Sequence, residues 1–142
     1  MQFSERNEYR NYFVERFEIE EKIMEKYTFW VRGRRVWAFS GRKINANNVE
    51  IIGIKALTLG SVPKPSTAFL RIVGQFAKKN AVELEYENAL KFLRGEDIEM
   101  EFPVEYGYVI VKHGKDVLGC GLYKGKLINQ IPKKYRFVDT WI

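Results

Sequence analysis

Lys124, Lys126, Lys133, Lys134 and Arg136 crowd the C-terminal end of the chain, interleaved with Gly119, Gly121, Gly125 and Asn129. These residue types suit the holding of a ribose-phosphate backbone. Glycines without side chains let a phosphodiester come close, and each neutralised phosphate releases counterions. Asn129 both donates and accepts, so it could read a base edge or a 2′-hydroxyl; equally, it could form a turn ahead of Ile131 and Pro132. Tyr123 and Tyr135 serve either as stacking platforms or as core. Residues 107–142 carry seven Lys or Arg, Lys112 among them, against two acids, whereas the remaining residues hold 17 basic and 16 acidic groups. Charge concentrated in this way points to a polyanionic partner. A second basic run, Arg32, Arg34, Arg35, Arg42 and Lys43, contains no acid. It reads either as a nucleic-acid contact or as a charged edge that discourages aggregation.

Other chemistries find little support. Cys120 is the single cysteine and His113 the single histidine, so neither an internal disulfide nor a Cys/His zinc site can be assembled from one chain. Cys120 stands between two glycines in an expected strand, a setting for tight packing rather than for an activated thiolate. His113 precedes Gly114 and is expected as an exposed turn residue. The carboxylate pairs Glu96/Asp97 and Glu99/Glu101 fall where a solvated face is expected, not a cleft for acid–base catalysis. No cofactor, metal or catalytic residue is expected. The N-terminus is charged where a signal peptide would turn apolar, and no apolar run approaches the roughly 20 residues that span a bilayer. A cytoplasmic protein without membrane contact is the expectation.

The elements that must position these groups follow from periodicity. Residues 5–26 carry Tyr9, Phe13 and Phe17 at helical spacing, which fits two short helices. TFWVRGRRVWAFS places Gly33 between runs rich in aromatic and β-branched residues, the pattern of a hairpin turning near Arg32–Arg34. After the polar INANN turn, residues 49–59 read as a strand covered on both faces. A helix is predicted from near Pro65 to Asn80 with Phe69, Val73, Phe76 and Ala77 on one face, then a short strand AVELE. YENALKFLRGED gives a second helix with Leu90 and Leu93 inward and Gly95 as C-cap. Beyond Ile98 the runs divided by Gly114, Gly119, Gly121 and Gly125, and closed by Pro132, suggest a small curved sheet or barrel. The predicted fold is α+β: an N-terminal α/β subdomain over 1–98, then a small β-barrel over 99–142 with contributions from upstream strands.

The segment LGCGLYKGKLINQIPKKYR, Leu118 to Arg136, resembles the RNA-binding tail of Sun-family RNA 5-methylcytosine methyltransferases, whose last domain is a PUA-like barrel. Leu118, Gly119, Gly121, Gly125, Leu127, Asn129, Pro132, Lys133 and Arg136 match that pattern. Lys64–Phe69, Val82–Asp97, Gly107–Val111 and Arg32–Ser40 also resemble the tail, so the likeness extends over residues 27–136. Cys120 stands where the pattern has Trp, Leu122 and Ile128 where it has Lys, and Gln130 with Ile131 where it has His-Tyr. The chain lacks the glycine-rich loop and the Pro-Cys nucleophile that such a methyltransferase requires.

The resemblance and the residues together predict a non-catalytic protein that docks structured tRNA or rRNA in RNA modification or ribosome biogenesis. The expected contacts are Lys124, Lys126, Asn129, Lys133, Lys134, Arg136, Gly119, Gly121, Lys112, Lys64, Arg34 and Arg35. A methyltransferase acting in trans would be a partner. The alternatives are a protein-interaction subunit with a basic face for an acidic partner, an accessory subunit of an RNA methyltransferase, and a small enzyme acting on an RNA base.

Overall fold

A computed structural model describes residues 3–40 and 53–136. Two mainly antiparallel sheets share helices between and around them. The first sheet has five strands in the order β1-β2-β3-β4-β5: β1 (Ser4–Glu5), β2 (Tyr27–Arg32), β3 (Arg35–Ser40), β4 (Gly53–Thr58) and β5 (Lys64–Pro65). The second has four in the order β6-β7-β8-β9: β6 (Ala81–Glu83), β7 (Gly107–His113), β8 (Asp116–Tyr123) and β9 (Leu127–Asn129). The helices are α1 (Arg10–Phe17), α2 (Glu21–Met24), α3 (Thr67–Val73) and α4 (Tyr86–Leu93), with 3₁₀ turns at Asn7–Tyr9, Gly74–Phe76 and Lys133–Tyr135. The α+β class agrees with the sequence pattern.

The hairpin β2–β3 forms where the period of two begins, and Arg32 faces Arg35 across the connection Gly33-Arg34. Gly33 has φ 61°, which glycine adopts without the steric cost a Cβ imposes. Phe29, Val36 and Ala38 face inward from this hairpin, and Phe13, Phe17, Phe69 and Leu70 close the core against them from α1 and α3. The Phe69 ring meets Phe13 at 5.1 Å and Tyr27 at 5.2 Å, both edge to face. α3 is shorter than its sequence suggests: it starts where the Ser66 hydroxyl accepts the Phe69 N–H at 3.0 Å and ends at Val73, and Phe76 is exposed. In α4 the inward residues are Ala89 and Phe92, with Leu90 and Leu93 half-buried, and Gly95 at φ 100° follows the helix.

The second sheet serves two cores. Ile110 and Cys120 join the aromatic cluster of the first sheet. From its other face Val109, Val111 and Leu127 pack with Phe92, Leu84 and Ile131. β8 runs unbroken through Gly119 and Gly121, so these glycines do not divide it into short strands as expected. The closed barrel expected for the C-terminal part is absent among the described residues. β6 joins β7 in parallel, which the α4 connection permits, and β9 pairs with β8. Beyond β9 there is a single bridge, Ile98 with Leu127, so the outer strands β6 and β9 do not meet. The INANN turn and the start of the 49–59 strand lie outside the described residues. The part of that strand seen here, β4, pairs antiparallel with β3 and carries Lys55 on the side away from the core.

Two polar residues tie α1 to the second sheet. The Arg16 guanidinium donates to the Tyr108 carbonyl at 3.0 and 2.8 Å, to the Tyr106 carbonyl at 3.2 Å and to the Glu105 side chain at 3.3 Å. Asn80, buried and at φ 55°, donates its amide to the Arg16 carbonyl and accepts the Glu105 N–H, both at 2.9 Å. Asparagine tolerates this left-handed backbone better than most residues, and its side chain satisfies groups from two other segments.

Candidate nucleic-acid interface

The glycine-lined groove expected along β8 does not exist. Gly119 and Gly121 are buried, and their missing side chains make room for the protein itself. A Cβ on Gly119 would lie 2.8 Å from Thr67 Cγ2 and 2.9 Å from Ile131 Cγ1; one on Gly121 would lie 2.6 Å from Leu127 Cδ1. The Thr67 hydroxyl uses this close approach to accept the Cys120 N–H at 3.1 Å. No phosphate can enter there.

Asn129 also resolves to its structural alternative. Its amide donates to the Phe92 carbonyl at 2.6 Å and the Glu96 carbonyl at 3.0 Å, and its Oδ1 accepts the Ile131 N–H at 2.9 Å. Both its amide donor contacts and its Oδ1 are thus engaged within the protein, which is the turn-forming role. Arg136 lies over Gly95, where a Cβ would meet its Cδ at 2.7 Å, and its Nε donates to the Ile131 carbonyl at 3.0 Å. Tyr123 is core, its hydroxyl accepting the Phe102 N–H at 3.1 Å. His113 is not a free turn residue: it ends β7, half-buried, with Nδ1 2.8 Å from the Leu84 carbonyl.

The expected cations fall into separate groups. Lys124 is exposed in the turn between β8 and β9, where Lys126 pairs with Glu99 at 3.2 Å. Lys112 lies in β7, beside Glu83 of β6 in register. The Lys133–Tyr135 turn lies toward the opposite end of β8, since Gln130 N–H donates to the Cys120 carbonyl and Ile131 packs on Gly119. Arg34 is exposed at the tip of the β2–β3 hairpin. Arg42, Lys43 and Asp139 lie outside the described residues.

What does converge is a cluster that joins the two sheets. Burial, followed by the charges of Arg35, Lys134 and Lys64, holds the Lys55 ammonium below the usual lysine pKa of 10.5. Cations from β3, β5 and the C-terminal 3₁₀ turn thus act on Lys55 of β4. No Asp or Glu among the described residues pairs with Arg35, Lys55, Lys64 or Lys134. Like charges held together without carboxylates oppose folding, and an arriving anion removes that opposition.

The local backbone explains the convergence. Thr58 faces Arg35 on one side and Lys64 on the other, which puts Arg35 and Lys64 on one face of the sheet. The Ser66 hydroxyl donates to the Lys55 carbonyl, and Thr67 reaches β8, so the segment Lys64–Thr67 joins both sheets. Lys134 is held from the other side: its Nζ lies 5.1 Å from the Tyr135 ring centroid, and the Arg71 guanidinium lies 5.2 Å from the same ring. Arg71 is itself anchored by donation to the Leu118 carbonyl at 2.9 Å. Cation–ring contacts of this kind orient both charges beside an aromatic surface. Lys55 and Arg71 escaped sequence reasoning because each stands alone among apolar residues, and only strand pairing and helix docking bring them to the cluster.

Residues 79–137 match the family model of the methyltransferase RsmF PUA domain. The resemblance seen in Leu118–Arg136 is therefore shown for the C-terminal part of the chain, and a PUA domain implies RNA binding in general. The PUA match contains β6–β9, α4 and the Lys133–Tyr135 turn, so Lys134 lies within it while Arg35, Lys55 and Lys64 lie before it. Residues 2–53 match a second model, DUF7122, a family of unknown function. Neither match is to a methyltransferase catalytic domain. No curated protein matches the chain.

Two further features bear on chemistry. Burial pushes the Cys120 thiol up to about 12, so the group stays protonated at neutral pH. The described surface has an open depression lined by Lys79, Asn80, Pro103 and Glu105, where Lys79 and Glu105 pair at 2.7 Å and Asn80 is already bonded. No cluster of His, Cys, Asp and Glu among the described residues could hold a metal ion, and no described helix is long and apolar enough to cross a membrane.

Proposed function

We propose that this chain is a non-catalytic RNA-binding protein that docks structured tRNA or rRNA through the Arg35–Lys55–Lys64–Lys134 cluster. The carrying observation is that Arg35, Lys64 and Lys134 act on Lys55 with no described Asp or Glu paired to any of the four, at the junction of the PUA-matching segment with the preceding sheet. Burial first, and then the neighbouring charges, depress Lys55; phosphates at the cluster would offset the second of these, while Arg71 and Lys134 flank the Tyr135 ring beside them. Such a protein serves RNA modification or ribosome maturation in the cytoplasm, on its own or beside a separate methyltransferase that uses the docked RNA.

The salt dependence of binding tests this reading. Each phosphate contact contributes about 0.7–0.9 to the slope of log K against log salt. Replacing Lys55, Lys64 and Lys134 together by Gln should lower the slope magnitude by roughly 2. Binding of tRNA should also exceed binding of an acidic polypeptide at equal ionic strength, because RNA adds shape and stacking to charge. An unchanged slope, or equal binding of the polypeptide, would reject RNA docking at this cluster.

A further inference from the structure

The outer face of the five-stranded sheet carries an arrangement that the cluster alone does not explain. Side chains alternate across a strand, and Phe29, Val36, Ala38 and Leu57 point into the core. Their neighbours therefore face outward: Thr28, Trp30 and Arg32 on β2, Arg35, Trp37 and Phe39 on β3, and Gly53, Lys55 and Thr58 on β4. Register sorts these residues into rows. Arg32, Arg35, Thr58 and Lys64 are successive partners across four strands, a row about 14 Å long at ordinary strand spacing. In the next row Trp30 faces Trp37, and Trp37 faces Lys55. Phe39 follows with its ring over Gly53, where a Cβ would lie 2.3 Å from Cε1.

A strand face with indoles beside a row of cations is unusual for a solvated sheet surface. Trp30 and Trp37 are half-buried rather than core, and no described residue makes a ring contact with either indole. Trp30 is oriented by donation from Nε1 to the Thr28 hydroxyl at 3.0 Å. The Arg32 guanidinium lies 5.4 Å from the Phe3 ring, which meets Phe39 at 6.2 Å, so further aromatic surface borders the same face. Glu5 is the acid in register with this face, at the β1 edge opposite Lys64, and Asn7 donates to it at 3.1 Å.

We propose that this face is a platform for single-stranded RNA, on which Trp30 and Trp37 stack adjacent unpaired bases while Arg32, Arg35 and Lys64 hold the intervening phosphates. The proposal rests on the RNA-binding reading above and extends it, because phosphate contacts alone would not distinguish paired from unpaired RNA. Charge complementarity selects the occupant: the cation row lies two residues along each strand from the indoles, on the same face, as the phosphates of a strand lie beside its bases. Every base offers a π-face, so such a platform tolerates sequence and demands single strands.

The test uses the full chain carrying Trp141→Phe, which leaves Trp30 and Trp37 as the emitting indoles. Tryptophan emission and anisotropy are followed on titration with an unstructured pyrimidine oligoribonucleotide and with an RNA duplex of equal length at one ionic strength. The single strand should quench emission more than the duplex. Trp30→Leu and Trp37→Leu should each weaken single-strand binding by about tenfold, a stacking-sized effect, with no change in salt slope. Should the leucine variants not fold, quenching of the Trp141→Phe chain decides, and its absence overturns the platform. Single-strand binding unaltered in folded leucine variants also overturns it, while leaving cluster-based RNA docking intact. Failure of both RNAs to bind would remove the docking reading and the platform together.

Discussion

Replacing Asn129 by Ala should reduce stability without weakening RNA binding by the folded protein. The magnitude follows from three bonds. Without Oδ1, the part-buried Ile131 N–H loses its acceptor, at a cost of about 1–3 kcal/mol. The Phe92 carbonyl still accepts the Gly95 N–H at 3.0 Å, and the Glu96 carbonyl is exposed enough for water to replace the amide. Those two losses cost about 0.5–1 kcal/mol each. Together they give about 2–5 kcal/mol, or a fall of roughly 7–17 °C in Tm for a chain of this size. Urea denaturation followed by circular dichroism measures the first quantity, and fluorescence anisotropy with tRNA well below the transition measures the second. A variant as stable as wild type that binds tRNA tenfold more weakly would mean that Asn129 reads RNA, and the assignment of its amide to Phe92, Glu96 and Ile131 would fail.

Gly119→Ala drives a Cβ to 2.8 Å from Thr67 Cγ2, so overpacking of about 1–3 kcal/mol is expected in urea denaturation, again with tRNA affinity retained; a neutral stability effect with lost affinity would restore a phosphate groove at β8. Lys55 must be protonated to hold phosphate, and its pKa is depressed, so affinity should fall as pH rises before the ordinary lysine range near 10.5 is reached. Anisotropy with a 2′-O-methylated RNA across alkaline pH checks this: Lys55→Gln should flatten the early part of the fall, and an unaltered profile would exclude Lys55 from binding.

Elements built from local pattern were readable in the amino-acid order. Phe13 and Phe17 at helical spacing, Gly33 between alternating aromatic runs and Gly95 beyond α4 each act through neighbours in sequence, and each has the role its spacing suggests. The same holds for the surplus of cations near the C-terminus and for the PUA resemblance of Leu118–Arg136. Asn129 and Gly119 were ambiguous because the partners that decide them, Phe92, Ile131 and Thr67, come from other elements.

The composition and order of the residues alone determined that this is an α+β chain with a localised positive charge and a PUA-like C-terminal part. Only the tertiary structure decided which cations act together. Charge acts through space, whereas sequence separates Arg35, Lys55, Lys64 and Lys134 by 20, 9 and 70 residues. Strand register brings the first three to one face, and the packing of Arg71 of α3 on Tyr135 holds the turn that carries the fourth.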